Sequence, residues 1–204
     1  FQITRQILEV LEEHGHPVTI TTKSARVCRD IDILSRMAER GLASVALSIT
    51  SMDPSIASQI EPRASAPGKR IAAVRTLAGA GVPVTVGVSP IIPAITDHEI
   101  EAILGEGAAA GAKSAFWLLV RLPHEVSPIF RAWLQKQFPQ RAQKVMHLIQ
   151  EARGGRDNDP EFFSRFRPRG AYAEMLETRF KIACKKLGLD KQRGELRRDL
   201  FQGH

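Results

Sequence analysis

Polar side chains stand at the ends of four apolar runs, and these residues are best able to do chemistry. A lysine ammonium can neutralise a ligand carboxylate or phosphate as a point charge, and short hydroxyls can hydrogen bond to a bound polar group. The same residue types also occur as rim lysines and as ordinary strand residues. The candidates are Lys23, Ser48, Thr50, Ser89 and Arg121.

The four apolar runs predict parallel β-strands. They begin near residues 18, 44, 82 and 114 and are rich in Val, Ile and Leu. Continuous apolar runs of this kind indicate strands that helices cover on both faces. Spacings of roughly 25–40 residues suit βα units, whose right-handed crossovers lay the strands side by side. The carboxyl ends then meet on one face, where βα barrels place their chemistry.

Periodic apolar residues between the strands predict helices. Thr96 and Glu99 have the spacing of a capping box at the start of one of them. Glu61 and Arg63 lie in a long loop after the second strand, where they could pair with each other or reach over the site. Four βα units do not close an eight-stranded barrel, so the fold class is α/β, with a partial barrel or a small open sheet.

The first helix carries one apolar stripe, formed by Ile3, Ile7, Val10 and Leu11.

The pattern changes near residue 123, which predicts a βα body over residues 1–122 and a helical, basic extension over residues 123–204. Residues 141–204 carry 15 Lys and Arg against 9 Asp and Glu. Such a basic region points to an anionic partner, most commonly nucleic acid, although a solvated helical surface has the same composition. The residues from Asp190 onward are predicted to be frayed.

Several classes of protein lack support in the sequence. Cys28 and Cys184 are far apart, which indicates neither a metal site nor a disulfide and fits a reducing cytoplasm. No run is long and apolar enough for a membrane helix, and no signal peptide is expected. The sequence opens with Phe1, so we expect a fragment.

His124 lies in a loop after the fourth run, where it could transfer a proton or contact a phosphate.

Four segments resemble the radical S-adenosylmethionine (SAM) proteins related to spore photoproduct lyase, often labelled DNA repair photolyases. They are TTKS, the stretch from ALSITS to GKRIAAV, GVPVTVGVSPIIP and RLPHEV. The most specific part is the block E-P-R-x-x-x-P-x-x-R-I. The resemblance covers roughly residues 1–187 and implies a partial (β/α)6 barrel. It also implies a [4Fe-4S] cluster on a C-x-x-x-C-x-x-C loop that cleaves SAM to a 5′-deoxyadenosyl radical.

The resemblance implies roles for several residues. Lys23 matches the lysine that holds the methionyl carboxylate of SAM, and Ser48 matches a serine that contacts the cofactor. Thr50 and Ser89 are further candidates for cofactor binding, and the two candidates for substrate binding are Arg121 and His124.

The cluster loop is missing from this sequence. We therefore expect the cluster ligands in an absent amino-terminal part, an inactive fragment and no metal ligands in this chain. The resemblance assigns no catalytic residue and leaves the substrate open, with nucleic acid as the candidate.

Two other functions remain open. A non-catalytic module could bind nucleic acid through the Arg- and Phe-rich segment 153–169. Alternatively, another barrel enzyme could bind a phosphorylated metabolite at the same strand ends.

Overall fold

The strands form one parallel sheet. A computed structural model describes residues 2–190 and 194–201 of the chain. Neighbouring strands follow the chain order, β1-β2-β3-β4, and every pair is parallel. The prediction of four parallel βα units is confirmed. The strands are β1 (Val18–Thr22), β2 (Ala43–Ile49), β3 (Val84–Ile91) and β4 (Ser114–Leu119).

Eight α-helices lie between and after the strands in the described part of the chain. Two short 3₁₀ helices, at Ala25–Asp30 and Asp97–Glu99, lead directly into α2 and α5. The α-helices are α1 (Ile3–Glu13), α2 (Ile31–Glu39), α3 (Pro54–Ile60), α4 (Pro67–Gly79), α5 (Ile100–Ala109), α6 (Val126–Gln137), α7 (Pro139–Glu151) and α8 (Ala171–Leu187).

The two faces of the sheet differ, because successive side chains point to opposite sides of a strand. On one side, which we call the inner face, the hydroxyls of Thr19 and Ser44 lie 3.0 Å apart, and those of Thr85 and Ser114 lie 2.8 Å apart. The other side, the outer face, is apolar. Its buried side chains belong to one core cluster that includes Val45, Leu47, Ile49, Val84, Val86 and Val88.

The prediction that helices cover the strands is confirmed for the outer face and stays a prediction for the inner face. Helices α2, α4 and α5 pack on the outer side of β2 and β3. The close approach of α5 requires Gly107, because a Cβ there would lie 2.9 Å from Cγ1 of Val86. Nearly all residues of β2 and β3 are buried, on the inner face as well as on the outer one, which explains why the two runs are almost continuously apolar.

The first helix buries a different residue from those in the predicted stripe. Leu8 is buried, and Leu11 packs against the core from its edge. Ile3, Ile7 and Val10 are all more than half exposed. The periodicity correctly predicted an amphipathic helix, but α1 contacts α2 along a line next to its most apolar stripe.

The predicted capping box is wrong. The Thr96 hydroxyl accepts a hydrogen bond from the backbone N–H of Ile92 at 2.9 Å and does not cap the following helix. The Glu99 carboxylate accepts from the Ser51 hydroxyl and from the Met52 N–H, both at 2.6 Å. Glu99 thus joins the loop after β2 to the loop after β3, although it directly precedes the first residue of α5.

The helices after β4 are confirmed by the structure. Helices α6 and α7 share a second apolar cluster, which includes Leu134, Val145 and Ile149. Helix α8 returns to the sheet, and its buried residues Leu176 and Cys184 belong to the same core cluster as the strands. The boundary at residues 122 and 123 stays a prediction.

The carboxyl-terminal segment 194–201 packs on the amino ends of the strands. The Arg197 N–H donates to the Gly41 carbonyl at 3.0 Å, and the Phe201 ring lies edge-on to His16 at 4.9 Å. The prediction of a frayed end is wrong for this segment, because its backbone hydrogen bonds to the turn after α2 and its Phe201 ring packs against His16 after α1. Residues 191–193 and 202–204, included in that prediction, lie outside the described residues. None of the described helices combines the length and apolarity needed to cross a membrane.

Candidate ligand site at the carboxyl ends of the strands

Glu61 is the centre of a polar cluster beyond the ends of β1 and β2. Its Oε1 accepts hydrogen bonds from the Lys23 ammonium and, at 2.9 Å, from the Thr50 hydroxyl. Its Oε2 accepts from Nη2 of Arg70 at 2.6 Å. The side chain of Glu61 is only 8% exposed. One carboxylate from the long loop therefore joins residues that follow two strands and one that lies on α4.

Arg70 is fully committed to structural contacts. It is among the most deeply buried large side chains of the described chain. Besides Glu61, it donates from Nη1 to the Ser48 carbonyl at 2.8 Å and from Nε to the Ser65 carbonyl at 2.6 Å. These bonds fix the end of β2 and the loop before α4 in one arrangement.

The cluster carries a net charge of +1. Burial favours the neutral acid and would raise the pKa of Glu61, but the hydrogen bonds from Lys23 and Arg70 outweigh it and lower that pKa below its ordinary value. Glu61 is therefore ionised at neutral pH, and one carboxylate faces two cations. Arg70 is shielded from solvent, whereas the Lys23 side chain is 41% exposed. The unbalanced positive charge is accessible at Lys23.

The predicted hydroxyl residues lie close to this cluster. Ser48 pairs with Gly87 in the register of β2 and β3 and follows Ser44 on the inner face. The Thr50 hydroxyl lies within hydrogen-bond distance of the Ser89 carbonyl, at 3.1 Å, as well as of Glu61. Ser89 itself precedes a cis peptide bond to Pro90. The structure brings Lys23, Thr50 and Ser89 together, and Ser48 joins them through the Arg70 contact to its backbone.

The two predicted substrate-binding residues lie elsewhere. Arg121 follows β4, three strands away from β1, which corresponds to about 14 Å along a sheet. Its guanidinium lies over the Phe166 ring at 4.9 Å. His124 is exposed, with a φ of 43° in the turn after β4. Their roles stay predictions, and the described contacts do not connect them to Glu61.

Sequence reasoning missed Arg70, and of its two alternatives for Glu61 the reach over the strand ends is the one that the structure shows. It allowed a pair between Glu61 and Arg63, but the partners of Glu61 are Lys23, Thr50 and Arg70. A signal was present, because Arg70 falls on the apolar stripe of α4 with Val74 and Leu77. A charged residue on a buried stripe requires a buried partner.

Comparison of the sequence with known families identifies its class. A sequence model described as the radical SAM superfamily matches residues 2–106, which is more than half of the chain. The chain belongs to the radical SAM superfamily.

Curated relatives extend the match without naming an activity. An uncharacterised protein of Mycobacterium tuberculosis (strain ATCC 25618 / H37Rv) is 28% identical over 144 residues, covering 70% of this chain and 42% of the relative. An uncharacterised protein of Methanocaldococcus jannaschii is 30% identical over 140 residues, covering 69% of this chain and 51% of the relative. The chain thus spans about half or less of the length of these relatives.

Solved structures show the same fold. Spore photoproduct lyase complexed with dinucleoside spore photoproduct superposes with a TM-score of 0.63 at 20% identity, over 91% of this chain and 54% of the lyase. A variant of that enzyme with bound AdoMet and the same dinucleoside gives 0.62, with the same identity and coverage. The prediction of a partial radical SAM barrel with the fold of spore photoproduct lyase is confirmed.

Proposed function

We propose that this chain binds SAM at the carboxyl ends of its strands as part of a radical SAM enzyme. The ammonium of Lys23 would hold the methionyl carboxylate of SAM, and Ser48, Thr50 and Ser89 would surround the polar atoms of the cofactor. The net charge of +1 shared by Lys23, Glu61 and Arg70 carries the proposal. A ligand carboxylate would balance that charge at Lys23, which is the only exposed side chain of the three.

The residues present fit SAM but do not fit an iron–sulfur cluster. A carboxylate is a suitable partner for a partly exposed lysine, and strand-end hydroxyls can bond to polar ligand atoms. The cluster of the family needs three cysteines, and this chain has only Cys28 and Cys184. Burial raises the pKa of both thiols. The described residues also contain no group of three or more His, Cys, Asp or Glu side chains placed to hold a metal. We therefore place the cluster ligands outside this sequence.

A nucleic acid is the substrate class that we propose. The basic residues of 141–204 support it, and a solved structure of the same fold holds a dinucleoside photoproduct. When SAM and the cluster are both bound, the family's chemistry supplies a 5′-deoxyadenosyl radical for reaction with the substrate. Two free cysteines are consistent with the cytoplasm as the proposed location.

Equilibrium binding of SAM to the purified chain tests the cofactor proposal. Lys23→Ala should weaken SAM binding at least about tenfold, which corresponds to about 1.4 kcal/mol, because the charge-assisted contact to the carboxylate is lost. Lys113→Ala is the matched control, since Lys113 is an exposed lysine just before β4 at the opposite end of the sheet. Equal binding by the wild type and Lys23→Ala would refute the proposed role of Lys23.

Activity needs a separate assay. The full-length polypeptide, reconstituted anaerobically with iron and sulfide, should release 5′-deoxyadenosine from SAM, and Lys23→Ala should reduce that release. Failure to form 5′-deoxyadenosine with an intact cluster would exclude the enzyme proposal.

A non-catalytic nucleic-acid-binding module is the second candidate, favoured by exposed aromatic side chains in an arginine-rich segment. Phe162, Phe163 and Phe166 are all at least 48% exposed. This candidate predicts binding that weakens steeply with salt and does not depend on SAM. Deleting residues 141–204 is not a clean test, because α8 belongs to the main core. A retained phosphate at Lys23 without affinity for SAM would instead favour an enzyme acting on a phosphorylated metabolite.

A further inference from the structure

Three arginine side chains come together beside the carboxyl end of β4. The guanidinium carbons of Arg121 and Arg165 lie 4.9 and 5.0 Å from the centre of the same ring, that of Phe166. Arg153 is buried, with 8% of its surface exposed, and donates to the carbonyls of Arg165 at 2.8 Å and Val120 at 3.2 Å. We call Arg121, Arg153 and Arg165 the arginine cluster.

The arginine cluster lacks the carboxylate that buried guanidinium groups normally have. Within residues 2–190 and 194–201, its three Nε atoms are buried without a hydrogen-bond acceptor, and none of its members forms an ion pair. The contrast with Arg70 is direct, because every nitrogen of that guanidinium has an acceptor. Burying a charged group without a partner is costly.

The acidic residue whose charge acts on Arg153, Asp159, has its hydrogen bonds elsewhere. The Asp159 carboxylate accepts hydrogen bonds from Ser164 and from the backbone N–H of Glu161, and these bonds lower its pKa. Its charge still acts on Arg153. Burial and then repulsion by Arg121 nevertheless lower the pKa of Arg153 below its ordinary value. The cluster is therefore an electrostatically unfavourable arrangement that an anion would relieve.

We propose that the arginine cluster binds a phosphate group. Guanidinium groups bind phosphate oxygens through paired hydrogen bonds. The Arg121 and Arg165 side chains are only half-buried, so their outer nitrogens can be reached by such an anion. The Arg165 guanidinium carbon lies 4.5 Å from the centre of the Phe162 ring, and the Phe163 ring lies edge-on to Phe162 at 5.3 Å. Phe163 is 87% exposed, so a base attached to the phosphate would have an aromatic surface on which to stack. The inference does not depend on SAM binding at Lys23.

Two phosphate sources can be separated in one competition experiment. A fluorescently labelled single-stranded hexathymidylate is titrated with the purified chain at low salt, and inorganic phosphate is the competitor. We expect the oligonucleotide to bind, and binding should weaken about tenfold or more in Arg121→Gln and in Arg165→Gln. Arg75→Gln, which removes an exposed arginine on α4, is the matched control and should change affinity less than twofold.

A thermal measurement guards against variants that simply misfold. Phosphate that binds only the native state raises the melting temperature, and the rise increases with the ratio of phosphate concentration to its Kd. The wild type and Arg75→Gln should therefore gain stability with added phosphate, whereas Arg121→Gln and Arg165→Gln should gain less. A rise in melting temperature with phosphate that depends on Arg121 and Arg165, without oligonucleotide binding, assigns the site to a free phosphate ester. The proposal is overturned if neither ligand binds the wild type, or if the cluster variants respond to both ligands as Arg75→Gln does.

Discussion

Nη2 of Arg70 lies 2.6 Å from Oε2 of Glu61, and both side chains are almost completely shielded from solvent. This pair holds the loop after β2 against α4 and leaves the other carboxylate oxygen for Lys23 and Thr50. The position of the exposed lysine therefore depends on a buried arginine with which it shares a single acceptor group.

Removing the Glu61 carboxylate should destabilise the fold strongly. Glu61→Ala leaves Arg70 charged and buried, which costs about 3 kcal/mol or more of unfolding free energy. Glu101→Ala is a suitable control, because Glu101 pairs with Arg179 on the exposed surface and should lose about 1 kcal/mol or less. Urea unfolding measures both. Equal losses in the two variants would show that the buried pair has no special importance.

Acid should remove the contribution of Glu61. Its pKa in the folded chain lies below the ordinary value of 4.5, so the folded state holds fewer protons than the unfolded state near that pH. Stability from this group is therefore fully present above the ordinary pKa and is lost as the pH falls through the lower, folded-state value. Unfolding free energies of the wild type and Glu61→Gln should differ most at neutral pH and converge in acid. A difference independent of pH would contradict this account.

Two glycines on α5 should respond oppositely to alanine. Gly107→Ala places a Cβ 2.9 Å from Cγ1 of Val86, a stiff β-branched side chain in β3, and should destabilise by about 1–3 kcal/mol. At Gly105 nothing lies within 4 Å of the added Cβ, so Gly105→Ala should stabilise by up to about 1 kcal/mol. Thermal melting of the two variants distinguishes packing from helix propensity. Stabilisation by both substitutions would disprove the close approach of α5.

Asp157 should titrate unusually low for a carboxyl group. A hydrogen-bonded ion pair with Arg131, aided by Ser127 and Gln150, lowers the pKa of Asp157 to about 2. In Arg131→Gln this pKa should rise towards its ordinary value, as followed by carboxyl-carbon NMR. Arg141→Gln, on the neighbouring helix α7, should leave the titration unchanged. An unshifted Asp157 in Arg131→Gln would mean that Arg131 does not control its charge.

The fold was more predictable from sequence than the site. Apolar runs at regular spacing determine strands and helices locally, so all four strands were predicted with errors of a few residues at their ends. Lys23 and Thr50 were found because strand ends in parallel sheets converge. The partners of Glu61 were not found, since Arg70 is nine residues away and reaches it only after α4 packs against the sheet.

The remaining failures also involve contacts between distant parts of the chain. The spacing of Thr96 and Glu99 matched a local cap, but the carboxylate found stronger donors at Ser51 and Met52. The segment 194–201 has a composition typical of a loose end, and its order comes from partners more than 150 residues earlier, such as Gly41. Local patterns contain no information about such partners.

The packing of that last segment links the two extremes of the described chain. A methyl group on Gly15 would overlap the Leu200 carbonyl, and the positive φ at Gly15 already disfavours any side chain there. A bulkier residue in the turn at Gly15 would therefore displace segment 194–201 from the amino ends of the strands. Protection of residues 194–201 from limited proteolysis should therefore be sensitive to a substitution at Gly15, more than 170 residues earlier in the sequence.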